Sequence, residues 1–245
     1  MKYHYTWLLW SGAFLVPWAV LYAARPAFRR EMLRVSLTTA LLGFTEPIFV
    51  PEYWNPPSLF NLAQRTGFDI ESLIFCFAIG GIGAFLYHAI ARGELQPISH
   101  AEQHDRRHRF HGLALGAPFL VFPVLYLFPW NPIYPGIAAL CAGAVANVLC
   151  RPDLAQNTIA GGVLFLALYA TFMLGLAISA PGYIEQVWNL PQLSGLRPGG
   201  IPVEELAFGF AFGLYWAGVY EHFTWSRSAP AGARHPNVET PSGAA

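Results

Sequence analysis

Two apolar stretches of the chain align with one another without a gap. The first, residues 67–87, reads GFDIESLIFCFAIGGIGAFLY, and the second, residues 200–220, reads GIPVEELAFGFAFGLYWAGVY. The identical pairs are Gly67 with Gly200, Glu71 with Glu204, Leu73 with Leu206, Phe75 with Phe208, Phe77 with Phe210, Ala78 with Ala211, Gly80 with Gly213, Ala84 with Ala217 and Tyr87 with Tyr220. Identities this dense indicate an internal duplication.

The duplication extends upstream of both stretches. EYWNPP and QVWNLP pair Trp54 with Trp188, and RPAF, beginning at Arg25, corresponds to RPDL, beginning at Arg151. Each copy is predicted to be a unit of three helices, and the span between the units is a connector. Because four spans separate equivalent helices, the two units should have the same orientation in a membrane, with a site between the halves.

Composition predicts a membrane protein of the all-α class. Of 245 residues, 55% are hydrophobic and 11% are charged, which is the balance of a polytopic membrane chain. Seven apolar segments approach the roughly 20 residues that cross a bilayer as a helix. They are residues 6–23, 33–50, 70–90, 112–128, 133–149, 158–179 and 201–223. Seven transmembrane helices are therefore predicted.

A single transmembrane domain is expected over residues 1–225. Its parts are repeat 1 at about 3–90, the connector helix at about 112–128 and repeat 2 at about 133–224. Residues 226–245 are rich in Pro, Gly, Ala and Ser, a composition that predicts a disordered tail.

The distribution of basic residues predicts the orientation. With the N-terminus outside, eleven of the 14 basic residues lie in inside loops or the tail, and only Lys2, Arg65 and Arg197 lie outside. The positive-inside rule therefore favours an outside N-terminus and a cytoplasmic C-terminus, and we expect a bacterial inner membrane. Membrane lipid is the expected surrounding partner. The net charge of zero gives no indication of a nucleic-acid partner, and the oligomeric state is left open.

Four carboxylates are the candidate catalytic residues. Glu71 and Glu204 begin matching helices, Glu205 follows Glu204 directly, and Glu46 lies late in the second apolar segment. A first-turn carboxylate can simply cap free amides and complement the helix dipole. Ionisable groups in apolar spans are costly, however, and usually face the interior of the bundle. Both interpretations stay open at this point.

Aromatic residues accompany these carboxylates, several of them at helical spacing. Those predicted to bind substrate are Trp54, Phe75, Trp188, Phe208, Phe212, Tyr215 and Trp216. Such stripes serve packing more often than ligand binding. A dry carboxylic acid among aromatic faces can nevertheless protonate an alkene, and the ring faces can stabilise the carbocation that results.

The stretch VWNLP followed by GIPVEELAF resembles the integral-membrane, non-flavin lycopene cyclases, also called lycopene cyclase domain proteins. The tandem resemblance covers nearly the whole chain up to Phe223. The first copy departs from the pattern, because Asp69 replaces the proline and Ser72 replaces the second glutamate. The resemblance implies acid-catalysed ring closure of a linear carotenoid end group. It also implies a hydrophobic isoprenoid substrate and no redox cofactor.

A histidine cluster provides an alternative. HAEQHDRRHRFHG holds His100, His104, His108 and His111 at spacings that align them along one side of a helix. Similar boxes bind iron in membrane hydroxylases and desaturases, but those enzymes need several boxes and this chain has one. We therefore expect no bound metal here, and a basic loop that faces anionic lipid. A further alternative is a non-enzymatic lipid-binding or transport protein whose intramembrane carboxylates carry protons.

The sequence disfavours a retinal-binding protein and gives no indication of disulfides or of a cysteine metal motif. Lys2 is the only lysine, so the chain lacks the last-helix lysine to which a retinal protein binds its chromophore as a Schiff base. The three cysteines are Cys76, Cys141 and Cys150. They lack metal-ligand spacing and are predicted to be buried small residues rather than disulfides.

Overall fold

The computed structural model describes residues 3–91 and 94–229, and this part of the chain is mostly helical. The α-helices are α1 (Thr6–Ala13), α2 (Leu15–Ala24), α3 (Arg29–Ala40), α4 (Leu62–Thr66), α5 (Ile70–Ala91), α6 (His100–Gln103), α7 (His111–Tyr126), α8 (Ile133–Cys150), α9 (Ala155–Ser179), α10 (Tyr183–Val187) and α11 (Val203–Thr224). Short 3-10 turns connect several of them, and the strands β1 (Glu94–Pro97) and β2 (Ser226–Ala229) form a two-stranded antiparallel sheet.

Within the residues that the structure describes, five helical segments are long and apolar enough to cross a membrane. They are Thr6–Ala24, Ile70–Ala91, His108–Tyr126, Ile133–Cys150 and Pro152–Ser179. The two remaining predicted spans, residues 33–50 and 201–223, are not among these five segments. Residues 33–50 comprise α3 and a 3-10 segment, Leu41–Ile48, that contains Glu46 and Pro47. Helix α11 has 22 residues but carries carboxylates that are buried inside the protein.

Helices α5 and α11 contain most of the two stretches that align with each other in the sequence. Each has 22 residues, and each packs closely on an earlier helix of its own copy. A Cβ atom at Gly80 would lie 2.2 Å from the side chain of Thr39 in α3, and one at Gly161 in α9 would lie 2.2 Å from Ala217 in α11. Small residues thus allow both pairs of helices to approach closely, as is common in membrane bundles.

The two Arg-Pro turns also share a local geometry. Arg25 has φ −125° and ψ 73°, and Arg151 has φ −129° and ψ 77°. Each is followed by a three-residue 3-10 turn that begins with proline, a residue whose fixed φ suits the first position of a helix. The similar sequences therefore produce the same change of direction between helices.

The two Trp-Asn stretches meet in the centre of the protein. The backbone N–H of Asn55 donates to the Val187 carbonyl at 2.8 Å, and the backbone N–H of Asn189 donates to the Tyr53 carbonyl at 2.9 Å. In the alignment of the two copies, Asn55 corresponds to Asn189 and Tyr53 corresponds to Val187, so the two bonds are equivalent. The indole rings of the buried Trp54 and Trp188 lie 5.4 Å apart, and together these contacts join the two halves of the chain.

The prediction of a disordered tail from residue 226 is wrong for its first four residues. Residues Ser226–Ala229 form β2, which pairs with β1. The Arg227 guanidinium lies 2.9 Å from Glu102, and the Arg151 guanidinium donates to the Ser226 carbonyl at 2.9 Å. Composition did not reveal these partners because they come from distant segments. The rest of the predicted tail, residues 230–245, lies outside the described residues.

Candidate active-site cavity

A cavity of about 410 Å³ lies among the helices of the two copies. This volume is within the usual range of small-molecule sites, and the lining is overwhelmingly apolar, as in such sites. All seven aromatic residues proposed from the sequence line it, namely Trp54, Phe75, Trp188, Phe208, Phe212, Tyr215 and Trp216. Their role in substrate binding remains a prediction, but the structure brings them to one place.

Two of the four candidate carboxylates reach this cavity. Glu46, from the 3-10 segment after α3, and Glu205, in the first turn of α11, both line it, whereas Glu71 and Glu204 do not. Consecutive residues of an α-helix point in directions about 100° apart. Glu204 therefore points in a different direction from Glu205 and lies outside the cavity lining, although the two are neighbours in the sequence.

Glu205 is buried and accepts three hydrogen bonds. The donors are the Tyr53 hydroxyl, the Tyr169 hydroxyl at 2.5 Å and the Trp188 indole nitrogen at 2.7 Å. Three donors around one carboxyl group stabilise its charged form and fix its orientation. Ser72 occupies the position of the first copy that aligns with Glu205. At this aligned position, therefore, only the second copy has a carboxylate.

Glu71 and Glu204 make a different, and mutually similar, contact. The Leu59 amide donates to Glu71 at 2.8 Å, and the Ser194 amide donates to Glu204 at 2.7 Å. The Tyr134 hydroxyl also donates to Glu204, at 2.8 Å. Each carboxylate thus holds the loop that precedes its own helix. This geometry matches the helix-start interpretation, and the predicted catalytic role of these two residues is not tested by it.

The comparison with known families falls on the second copy. Residues 131–223 match the family model described as lycopene cyclase. The chain is therefore similar to the lycopene cyclase family over these residues, which we call the lycopene cyclase unit because of this match. The match supports a carotenoid cyclase-like role, and it includes Glu205 with two of its donors, Tyr169 and Trp188. No curated protein and no solved structure matches the chain.

The lycopene cyclase unit is completed by residues that precede it in the chain. Tyr53 donates to Glu205 from outside the matched range, and sequence reasoning did not select it. Burial and the neighbouring Glu205 raise the pKa of Tyr53 well above its usual range, so its hydroxyl stays protonated and remains a donor. The signal that could have found Tyr53 is its position directly before the Trp-Asn pair.

Asp69 is a second residue that sequence reasoning did not place in the site. Its Oδ1 accepts a hydrogen bond from the Ser72 amide at 2.5 Å, as a helix cap does. Burial raises the pKa of Asp69 above its usual range, although the Ser72 amide works in the opposite direction. Ser72 lines the cavity together with Glu46, so the first copy contributes polar side chains to the cavity beside the lycopene cyclase unit.

The aromatic wall of the cavity is continuous. Phe212 stacks on Trp216 with ring centroids 5.0 Å apart, and Tyr169 lies 5.9 Å from Phe208. Ring faces at such positions can stabilise a cation inside the cavity. Phe119, which is exposed on α7, also belongs to the lining. The cavity therefore reaches the outer surface of the bundle beside the lycopene cyclase unit.

The histidine cluster lies at the other end of α11 and does not line this cavity. His100 and His104 are exposed, whereas His108 is buried and His111 is half-buried. His108 and His111 lie together beside Cys150, the last residue of α8. The structure thus separates the four histidines into two pairs with different surroundings.

Proposed function

We propose that the protein is a lycopene cyclase-like enzyme that closes a ring at the end of a linear carotenoid or related isoprenoid by acid catalysis. The reaction is an isomerisation, of the intramolecular lyase type, and needs no redox cofactor. The observation that carries this proposal is the cavity, which combines two carboxyl groups from different halves of the chain with an aromatic wall. A site of this polarity suits a hydrocarbon substrate.

The surroundings of the two carboxyl groups favour different roles. Glu205 accepts three hydrogen bonds, which favour the carboxylate and therefore a role as base and as counter-charge to a cation. Glu46 Oε1 is buried and accepts no hydrogen bond from the described residues. Burial of a carboxyl oxygen that has no donor disfavours the charged form of the group, so we assign Glu46 as the acid.

The proposed chemistry conserves protons and electrons. The neutral acid adds a proton to the terminal double bond, and a second double bond of the same end group attacks the resulting cation. This attack forms the ring and moves the positive charge to a ring carbon. A carboxylate then removes a proton next to that carbon, which gives a new double bond. Glu46 and Glu205 both line the cavity, and proton exchange with solvent returns each group to its starting state for the next turnover.

We further propose that the protein crosses the membrane seven times, with the N-terminus outside, as two three-helix units in parallel orientation. The reciprocal bonds of Asn55 and Asn189, and the equal lengths of α5 and α11, support this arrangement. Pseudo-symmetry about an axis along the membrane normal is a known property of parallel membrane repeats. In this arrangement the cavity lies at the interface between the units.

Expression in a bacterial host that accumulates lycopene tests the function directly. We expect cyclic carotenoids in the extracted pigments. In membranes incubated with lycopene in D₂O, we expect one solvent deuteron for each ring formed, because the ring-closing proton comes from an exchangeable acid. Unchanged linear pigment, with the protein present and folded in the membrane, would contradict the proposal. Cyclic product without deuterium would contradict the acid-catalysed mechanism.

A further inference from the structure

Three ligand-type side chains meet at the end of the bundle that is remote from the cavity. Cys150 Sγ lies 3.4 Å from His108 Nδ1 and 3.7 Å from His111 Nδ1. One ligand atom from each of the three residues lies within 4.8 Å of the other two. The residues come from a 3-10 turn, the start of α7 and the end of α8, so the fold itself assembles the group.

These separations match those around a tetrahedral zinc ion. With a Zn–S distance of about 2.3 Å and a Zn–N distance of about 2.0 Å, sulfur and nitrogen ligands lie roughly 3.5 Å apart. The two observed distances, 3.4 Å and 3.7 Å, fall on either side of this value. A cation could therefore be bound with little movement of the side chains.

The surroundings orient His111 as a ligand. Its Nε2 lies 3.0 Å from the His222 carbonyl oxygen, and a carbonyl can only accept, so we assign the ring proton to Nε2. Nδ1 then presents its lone pair toward Cys150. Trp225 stacks on the same ring with centroids 3.7 Å apart. A hydrogen bond from the remote ring nitrogen to a carbonyl is the usual support for a metal-bound histidine.

A neighbouring positive charge is compensated. Arg151 follows Cys150 directly and is buried, and would on its own oppose a cation. Its guanidinium, however, donates to the Asp153 carboxylate at 2.6 Å and 2.8 Å and to the Ser226 carbonyl at 2.9 Å. The ion pair removes most of the repulsion that a metal ion would otherwise experience.

We propose that His108, His111 and Cys150 bind one divalent cation of the zinc type, with water in the fourth position. A thiolate with two imidazoles selects zinc over magnesium or calcium, which prefer oxygen ligands. The bound ion would fix the histidine-containing loop to the end of α8. This proposal replaces the expectation of no metal from the sequence, because Cys150 lies far from the histidines along the chain.

Metal binding by the full chain in detergent tests the proposal. After dialysis against Zn²⁺ and then metal-free buffer, we expect one zinc ion per chain. With Co²⁺ we expect the absorption of a tetrahedral thiolate complex. Cys150→Ser and His111→Gln should lose both signals. The matched controls Cys141→Ser and His104→Gln should retain them, because these residues lie outside the group.

The proposal is overturned if the wild-type chain binds no stoichiometric Zn²⁺ or Co²⁺, or if Cys150→Ser binds as the wild type does. The three residues would then form only a hydrogen-bonded cluster. If the variants do not fold, the rate of cysteine alkylation in the wild-type chain provides an independent test of metal binding. Zn²⁺ should slow the alkylation of Cys150 and leave that of Cys141 unchanged, whereas equal rates with and without Zn²⁺ would also overturn it.

Discussion

The Tyr53 hydroxyl donates a hydrogen bond to Glu205, and this contact links the two halves of the protein across 152 positions of the chain. Glu205 belongs to the lycopene cyclase unit, residues 131–223, whereas Tyr53 precedes it. The carboxylate therefore receives part of its hydrogen bonding from outside the family-matched segment. We infer that residues 131–223 alone do not form the complete site.

Replacement of Tyr53 by phenylalanine should weaken ring formation without preventing folding. The ring would still fill its buried position, but Glu205 would lose one of three donors. A hydrogen bond to a charged group contributes about 1.5–3 kcal/mol, so we expect a decrease of about 10- to 150-fold in the rate of cyclisation. Tyr134→Phe, which removes a donor to Glu204 instead, is the matched control. Equal effects of the two variants would argue against a special role for Glu205.

Substitutions of Glu204 and Glu205 distinguish a catalytic glutamate in the cavity from a glutamate that only stabilises the start of α11. Glu205→Gln should abolish ring formation, because an amide cannot act as the base and Glu205 faces the cavity. Glu204→Gln should retain most activity, because its amide oxygen can still accept from the Ser194 amide. Pigment analysis with both proteins at equal membrane levels measures the difference. If only Glu204→Gln is inactive, the catalytic assignment belongs to Glu204.

Helix packing gives a stability prediction that does not depend on function. In Gly161→Ala the new Cβ would lie 2.2 Å from the Ala217 side chain, so α9 and α11 must separate. Overpacking of this kind costs about 1–3 kcal/mol, and we expect a lower melting temperature in detergent. Gly116→Ala in α7 is the control, because a Cβ there meets no atom within 4 Å. It should leave the melting temperature unchanged or raise it, since alanine favours helix.

Reporter fusions test the proposed orientation in the membrane. Gln96 follows the C-terminal end of α5, and Arg197 precedes the N-terminal end of α11. In seven spans with an outside N-terminus, these positions lie on opposite sides of the membrane. A cytoplasmic reporter should therefore be active after Gln96, and a periplasmic reporter should be active after Arg197. Activity of the same reporter at both positions would contradict the topology.

The helical class, the approximate boundaries of α5, α7, α8, α9 and α11, and the aromatic residues of the cavity could all be predicted from the sequence. Apolar segments of membrane length leave few alternatives to helices, because backbone groups in lipid must be hydrogen-bonded within the segment. The ungapped alignment also anticipated the equal lengths of α5 and α11. These properties depend on local sequence, and local sequence was sufficient to predict them.

Identity between the copies was a poor guide to which glutamate faces the cavity. Glu71 and Glu204 are the identical pair, and they share the loop contacts to Leu59 and Ser194. Glu205 has no glutamate counterpart, yet it lines the cavity. The identical glutamates make the same loop contact in both copies, whereas the carboxylate of α11 that lines the cavity is at a position where the copies differ, Glu205 and Ser72. Only the rotation of α11 about its axis decided this.

The tertiary structure also decided the neighbours of Cys150. The sequence places it 39 residues after His111, a separation without any metal-ligand pattern. In the fold, the C-terminal end of α8 meets the N-terminal end of α7, because the two helices are antiparallel neighbours joined by a short turn. Helix packing brings the two side chains together, and the spacing of residues along the chain does not contain that information.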